Sequence, residues 1–221
     1  KARVPGYDMR MHDYIMRNPQ SAIIPQLRWQ HALNLFDAHD YKRAGDILEN
    51  LTLKQLYRGQ RTEYLFRKAY CDLENRDLES AKSNFAEVEK RQFSDYTAPS
   101  RYALGYISYV QKDFMVAIDW FEKSAKDSRF KEMSSYYIME SRFMLGDHAY
   151  VTAHGDEMYE VVPQERKPHL ARIVSESYLV LGDAENARRF FDLNAQGGGQ
   201  PKSRADWFYS GSVLYAVEDY R

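Results

Sequence analysis

Apolar residues return every three to four positions along nearly the whole chain, the spacing of one buried helical face. The pattern is interrupted by an Asp at near-constant distance: Asp40, Asp77, Asp113, Asp147, Asp183 and Asp219, at intervals of 37, 36, 34, 36 and 36 residues. The same residue types recur around each of these anchors. Eight positions before it stand Ala32, Ala69, Gly105, Ser175 and Gly211, with Met139 as the exception. Four positions after it stand Ala44, Ala81, Ala117, Val151 and Ala187, and eight after it Leu48, Phe85, Phe121, Gly155 and Phe191.

Each unit therefore reads as helix, tight turn, helix. An Asp at the anchor suits the N-cap of the second helix, where its carboxylate accepts from the first free amides. The small residues on either side let the two helices of a unit approach closely, and the Phe or Leu beyond them packs against the next unit. A single hairpin cannot bury its own apolar face, so the units must stack. The expectation is an all-α chain without strands.

With Leu104-Gly105, Ala117 and Phe121 in the third unit, Ala81/Phe85 in the second, Ala187/Phe191 in the fifth and Trp207/Gly211 in the sixth, the pattern resembles the tetratricopeptide repeat (TPR). The resemblance implies a right-handed α-α superhelix, or solenoid, of TPR-like units. Residues 20–221 form about five full repeats and the first helix of a sixth, and residues 1–19 are a partial preceding repeat, its helix Gly6–Arg17 closed by Asn18-Pro19. Connectors are expected at Asp95–Pro99, Pro163–Pro168 and, most flexible, Gln196–Pro201, with a last helix over Arg204–Glu218. Gly155 predicts a looser contact and a shifted helix near Tyr150–Val161. Both ends read as cut from a longer protein. Asn18-Pro19-Gln20-Ser21 is similar to a connector of bacterial envelope TPR proteins, which implies a periplasmic or outer-membrane-associated scaffold.

Charge and composition narrow the function. Lys+Arg 31 against Asp+Glu 32 gives a formal charge of −1, which supplies no field for nucleic acid, and the short basic clusters are interleaved with acids. The longest uncharged run, Trp207 to Val217, falls well short of the roughly 18 residues of a membrane span. Cys71 is alone and sits within a helix, where a structural thiol is expected. The six histidines form no i, i+3 or i, i+4 pair for a metal, so neither metal nor cofactor is expected. Gly197-Gly198-Gly199 before Lys202-Ser203 lacks the spacing of a phosphate loop, and the pairs Glu87/Glu89 and Asp156/Glu157 lie on polar helix surfaces. No catalytic arrangement emerges, and a non-enzymatic chain is expected.

The resemblance places the first helix of each unit on a concave groove, through positions eleven and seven before the anchor. One row is then Trp29, Phe66, Tyr102, Tyr136, Arg172 and Phe208, and the other Leu33, Tyr70, Tyr106, Glu140, Glu176 and Ser212. The candidate site is Trp29, Phe66, Tyr70, Tyr102, Tyr106 and Tyr136 with a charged end at Glu140, Arg172 and Glu176. Two readings stay open: an aromatic platform for a peptide or protein partner, or rings packed along neighbouring helices. Aromatics in place of Lys and Asn speak against the clamp by which some TPR proteins grip a C-terminal carboxylate. A glycan or other small ligand is the alternative guest, and self-association through the apolar last helix is a further expectation.

Overall fold

The computed structural model describes residues 6–91, 94–199 and 204–217. Among them the regular structure is helical. Helix α1 (Tyr7–Arg17) is followed by five hairpins: α2 (Ile24–Asp37) with α3 (Tyr41–Glu49), α4 (Arg61–Glu74) with α5 (Leu78–Glu89), α6 (Thr97–Val110) with α7 (Phe114–Ser124), α8 (Lys131–Met144) with α9 (His148–Val161), and α10 (Lys167–Val180) with α11 (Ala184–Gln196). Helix α12 (Arg204–Ala216) comes last. The helices group into two compact units, residues 1–104 and 105–221.

The recurring Asp does two jobs at each turn. Its carboxylate accepts from the amide three residues on in Asp40, Asp77, Asp113, Asp147 and Asp183, which makes each the N-cap of α3, α5, α7, α9 and α11. Its own amide donates back to the carbonyl five residues earlier, at 2.9 Å in all five turns. That 6→1 bond closes a Schellman motif on the first helix and needs a left-handed residue just before the Asp. The positions are His39, Arg76, Lys112, Gly146 and Gly182, with φ of 60°, 67°, 63°, 77° and 81°. Asp219 and Tyr220 lie outside the described residues.

Packing follows the small positions. Ala44, Ala81, Ala117, Val151 and Ala187 are wholly buried. A Cβ added to Gly105 would lie 2.8 Å from the Phe121 ring of its own hairpin. In the same register Ser175 Oγ donates to the Ala187 carbonyl at 2.5 Å. In the first unit the core gathers Trp29, Leu35, Leu48, Leu56 and Tyr64, and the Tyr64 hydroxyl donates to the Leu51 carbonyl at 2.9 Å, tying α4 to the end of the preceding hairpin.

Two expectations need correction. Gly155 marks a close contact, not a loose one: its added Cβ would stand 2.7 Å from Val174 Cγ1 on α10, so the missing side chain is what lets α9 and α10 approach. Eight residues after Asp183, Phe191 packs against the next unit as expected, meeting Tyr209 of α12 at 5.9 Å, and its neighbour Phe190 is wholly buried and stacks on Tyr178. Two connectors are shorter than the prolines suggest, because Pro99 and Pro168 sit in the first turns of α6 and α10, where a missing N–H costs nothing. Helix α11 runs through Gln196, and Lys202-Ser203 lie outside the described residues.

Candidate functional site

In the first unit the predicted row is folded into packing. Trp29 is 4% exposed and faces Tyr64 at 6.3 Å between ring centroids. Phe66 is half-buried between Tyr96 at 5.0 Å and Phe85 at 5.8 Å. Tyr70 is held by Phe36 at 5.4 Å and Tyr41 at 5.2 Å. Burial, then Glu74 and Tyr41, push its phenol up to about 12. Arg67 covers Phe36 at 4.6 Å while bonding Glu63 at 2.8 Å and Asp37 at 3.2 Å. These rings leave little surface for a guest, and Trp29 in particular is core: its volume is taken up by the next hairpin. Tyr102, one turn before Tyr106 on α6, is half-buried.

The second unit differs. Tyr106 is 37% exposed, with its ring edge against Tyr137 at 6.0 Å. Tyr136, on α8, is wholly buried, so it is not a free platform either; its hydroxyl donates to Glu140 Oε1 at 2.5 Å, one turn along the same helix. Glu140 is itself buried, and His169 Nε2 from α10 reaches the same oxygen at 2.7 Å. Burial alone raises the pKa of Glu140. Hydrogen bonds from His169, Tyr136 and Tyr109 outweigh it and hold the carboxyl below its ordinary value. The cost of the buried charge appears on the phenols: burial and the adjacent carboxylate push Tyr109 up to about 12 and raise Tyr136 as well. The Arg166 guanidinium stands 4.9 Å from the Tyr136 ring and 5.6 Å from that of Tyr137.

Beside this network the face turns polar. Arg172 pairs with Asp206 of α12 at 2.7 Å and lies 5.9 Å from the Tyr209 ring. Glu176 follows one turn on and is half-buried. His169, Arg172, Glu165, Asp206 and Tyr209 line a cleft of about 300 Å³. Of the three charged residues expected there, Glu140 is buried, whereas Arg172 and Glu176 are partly exposed. The groups that face outward with Tyr106 are His169 and Arg172. Sequence reading passed over His169 as a lone histidine and missed Tyr109, Arg166 and Asp206; no local spacing joins them to Glu140, since the stacking of hairpins brings them together.

Cys71 is wholly buried, and burial with the nearby Asp72 pushes its thiol up to about 12, so at neutral pH it is protonated. Among the described residues no group of three or more His, Cys, Asp or Glu could hold a metal, and no helix is long and apolar enough to cross a membrane.

Helical hairpins of this register, repeated about every 36 residues, have counterparts among solved structures. YrrB, described as a TPR protein with an unusual peptide-binding site, superposes with a TM-score of 0.65 at 12% identity over 94% of this chain and 97% of that one. The chain has the tetratricopeptide-repeat fold. BtubC (BKLC) from P. vanneervenii aligns with a TM-score of 0.58, again at 12% identity, over 89% of this chain and 91% of that one. Neither a protein-family model nor a curated protein sequence matches. At such identities the likeness carries the fold and not the ligand.

Proposed function

We propose that this TPR-fold chain is a non-enzymatic scaffold that binds a peptide or protein surface across the first-helix face of its second unit. The observation that carries the reading is the Tyr106, His169 and Arg172 set. These side chains stand partly exposed on α6 and α10, and the last two are held from behind by carboxylates, His169 by Glu140 at 2.7 Å and Arg172 by Asp206 at 2.7 Å. Groups already fixed in place lose little freedom on binding, which is what an interface anchor requires. YrrB, of the same fold, carries a peptide-binding site by its description. The remaining residues of the predicted groove act as framework: Trp29, Phe66 and Tyr70 within the first unit, Tyr136 and Glu140 within the second.

A test begins with selection of displayed random peptides on the immobilised chain, followed by titration of a selected peptide. Tyr106→Ala and His169→Ala should each weaken binding about tenfold, the loss typical of an anchor residue. Tyr57→Ala, removing an exposed ring of the first unit, should change nothing. Equal affinity for Tyr106→Ala, His169→Ala and the unmodified chain overturns the reading. The cleft of about 300 Å³ beside Arg172 favours a second reading, a glycan or similar small polar ligand, since that volume matches the smaller ligand sites. A glycan array that gives a hit lost in Arg172→Ala but kept in Tyr106→Ala would support it over the first.

A further inference from the structure

His169 stands at the mouth of the Glu140 network with one ring nitrogen engaged and the other open. Its Nε2 lies 2.7 Å from Glu140 Oε1, while about half of the side chain is exposed. Among the described residues no group bonds its Nδ1. The carboxylate decides which nitrogen carries the proton. Glu140 is buried and already accepts from the Tyr136 hydroxyl at 2.5 Å, with Tyr109 of α6 as a further donor. These bonds hold its carboxyl below the ordinary value, so at neutral pH it is an anion with no proton to give. Nε2 is therefore the donor, and in the neutral ring Nδ1 is left as a bare acceptor. The other ionisable groups nearby are otherwise engaged. Arg166 lies over the rings of Tyr136 and Tyr137 from α8, and Arg172 is paired with Asp206 of α12 at 2.7 Å. Glu165, from the turn before α10, and Tyr209 of α12 share the cleft beside the ring, and neither bonds Nδ1.

We infer that the bound peptide places a hydrogen-bond donor, an N–H or a hydroxyl, on His169 Nδ1, and that protonation of His169 releases it. This rests on the reading of the face as a peptide-binding surface and names what that surface selects. A partner carboxylate is disfavoured at this atom while the ring is neutral, because two acceptors would then face each other. Uptake of a proton turns Nδ1 from acceptor into donor. Donor then meets donor, the bond is lost, and the peptide's buried N–H or hydroxyl is left unpaired. Glu140 is a positioning residue here. It lies behind the ring, away from the peptide, and fixes both the tautomer and the orientation of the imidazole.

The first measurement needs no partner. Imidazole nitrogen NMR signals of the whole chain, assigned with His169→Ala, should show a protonated Nε2 and a bare Nδ1 in mildly basic buffer. The opposite tautomer overturns the inference. A peptide selected on the immobilised chain in that buffer is then titrated from about pH 8 down to about pH 5, the window in which histidines change charge. Affinity should fall about tenfold, the worth of one lost hydrogen bond with its donor left unpaired, with its midpoint where the His169 signals shift. His169→Ala binds more weakly at the start and should show no such fall, which separates His169 from the carboxylates and the other histidines. Glu140→Gln, its folding checked by a thermal melt, removes the anion that favours the imidazolium and should move both midpoints to lower pH. Affinity that stays flat or rises on acidification, or the same fall in His169→Ala, overturns the inference while leaving the peptide surface standing. If neither Tyr106→Ala nor His169→Ala weakens binding at any pH, the surface and the inference fail together.

Discussion

The two units of the chain spend the same row of aromatic positions differently. In residues 1–104, Trp29, Phe66 and Tyr70 are absorbed by rings from neighbouring helices and the connector, notably Tyr64, Tyr96 and Tyr41. In residues 105–221, Tyr106 stays partly open and the buried positions hold a hydrogen-bonded tyrosine and carboxylate instead of a hydrocarbon contact. A shared repeat register fixes where a side chain starts, not whether it ends covered. What covers it comes from the next hairpin, and that differs between the units.

The largest expected effect tests this division directly. Trp29→Ala and Tyr136→Ala each empty a buried site and should destabilise by about 3–5 kcal/mol in urea unfolding. Tyr106→Ala, from a partly exposed site, should cost less than about 1 kcal/mol. If Tyr106→Ala costs as much as Trp29→Ala, Tyr106 is core and the contrast between the units collapses.

Next in size are the close glycine contacts, which belong to the second unit. Gly155→Ala drives a methyl to within 2.7 Å of Val174, a short side chain with little room to turn, and should cost about 1–3 kcal/mol. The first unit places Ala32 and Ala69 at its close positions before the anchors, both essentially buried, and there the methyl is already accommodated. A neutral Gly155→Ala would show that α9 and α10 part easily, as the sequence alone suggested.

Glu140 sharpens the comparison through pH. Its folded pKa is depressed, so the stability it contributes is complete above the unfolded carboxylate value of about 4.3 and is lost as pH falls through the lower folded value. Glu140→Gln removes this contribution. Unfolding free energies of the two proteins should therefore differ most near neutral pH and converge as pH falls through that range, on the order of 1–3 kcal/mol at the widest for a buried charge-assisted network. Parallel curves down to pH 3 would mean the carboxylate contributes nothing as an anion.

The hairpin register was legible because one residue type at one spacing controls it: each Asp closes one helix and caps the next, and period alone then gives the helices. The small-residue positions were legible for the same reason. The site was legible in outline only. Residue type and spacing assigned Trp29 to the same row as Tyr102 and Tyr136, and could not foresee its burial, since that depends on Tyr64 from a different hairpin. His169 could not be joined to Glu140 because the contact is tertiary, and the left-handed turn residues escaped because three of the five are not Gly.

Those turns supply the smallest effect. The residue before each Asp must adopt φ near +60° to +80°, where a side chain costs roughly 1 kcal/mol or more and glycine costs nothing. The first unit uses His39 and Arg76; the second uses Lys112 and then Gly146 and Gly182. Lys112→Gly should stabilise, the relief in the folded turn partly offset by the freedom that glycine adds to the unfolded chain, for a net gain of about 0.5–1 kcal/mol. Gly182→Ala should lose about 1–2 kcal/mol at the equivalent place. Thermal melts of the two variants should move in opposite directions. His39→Gly should gain less than Lys112→Gly, because the His39 ring bonds the Tyr41 hydroxyl at 2.6 Å and that contact disappears with it. Equal gains at His39 and Lys112 would show that this hydrogen bond adds nothing to the first turn, and that the backbone alone sets what each turn costs.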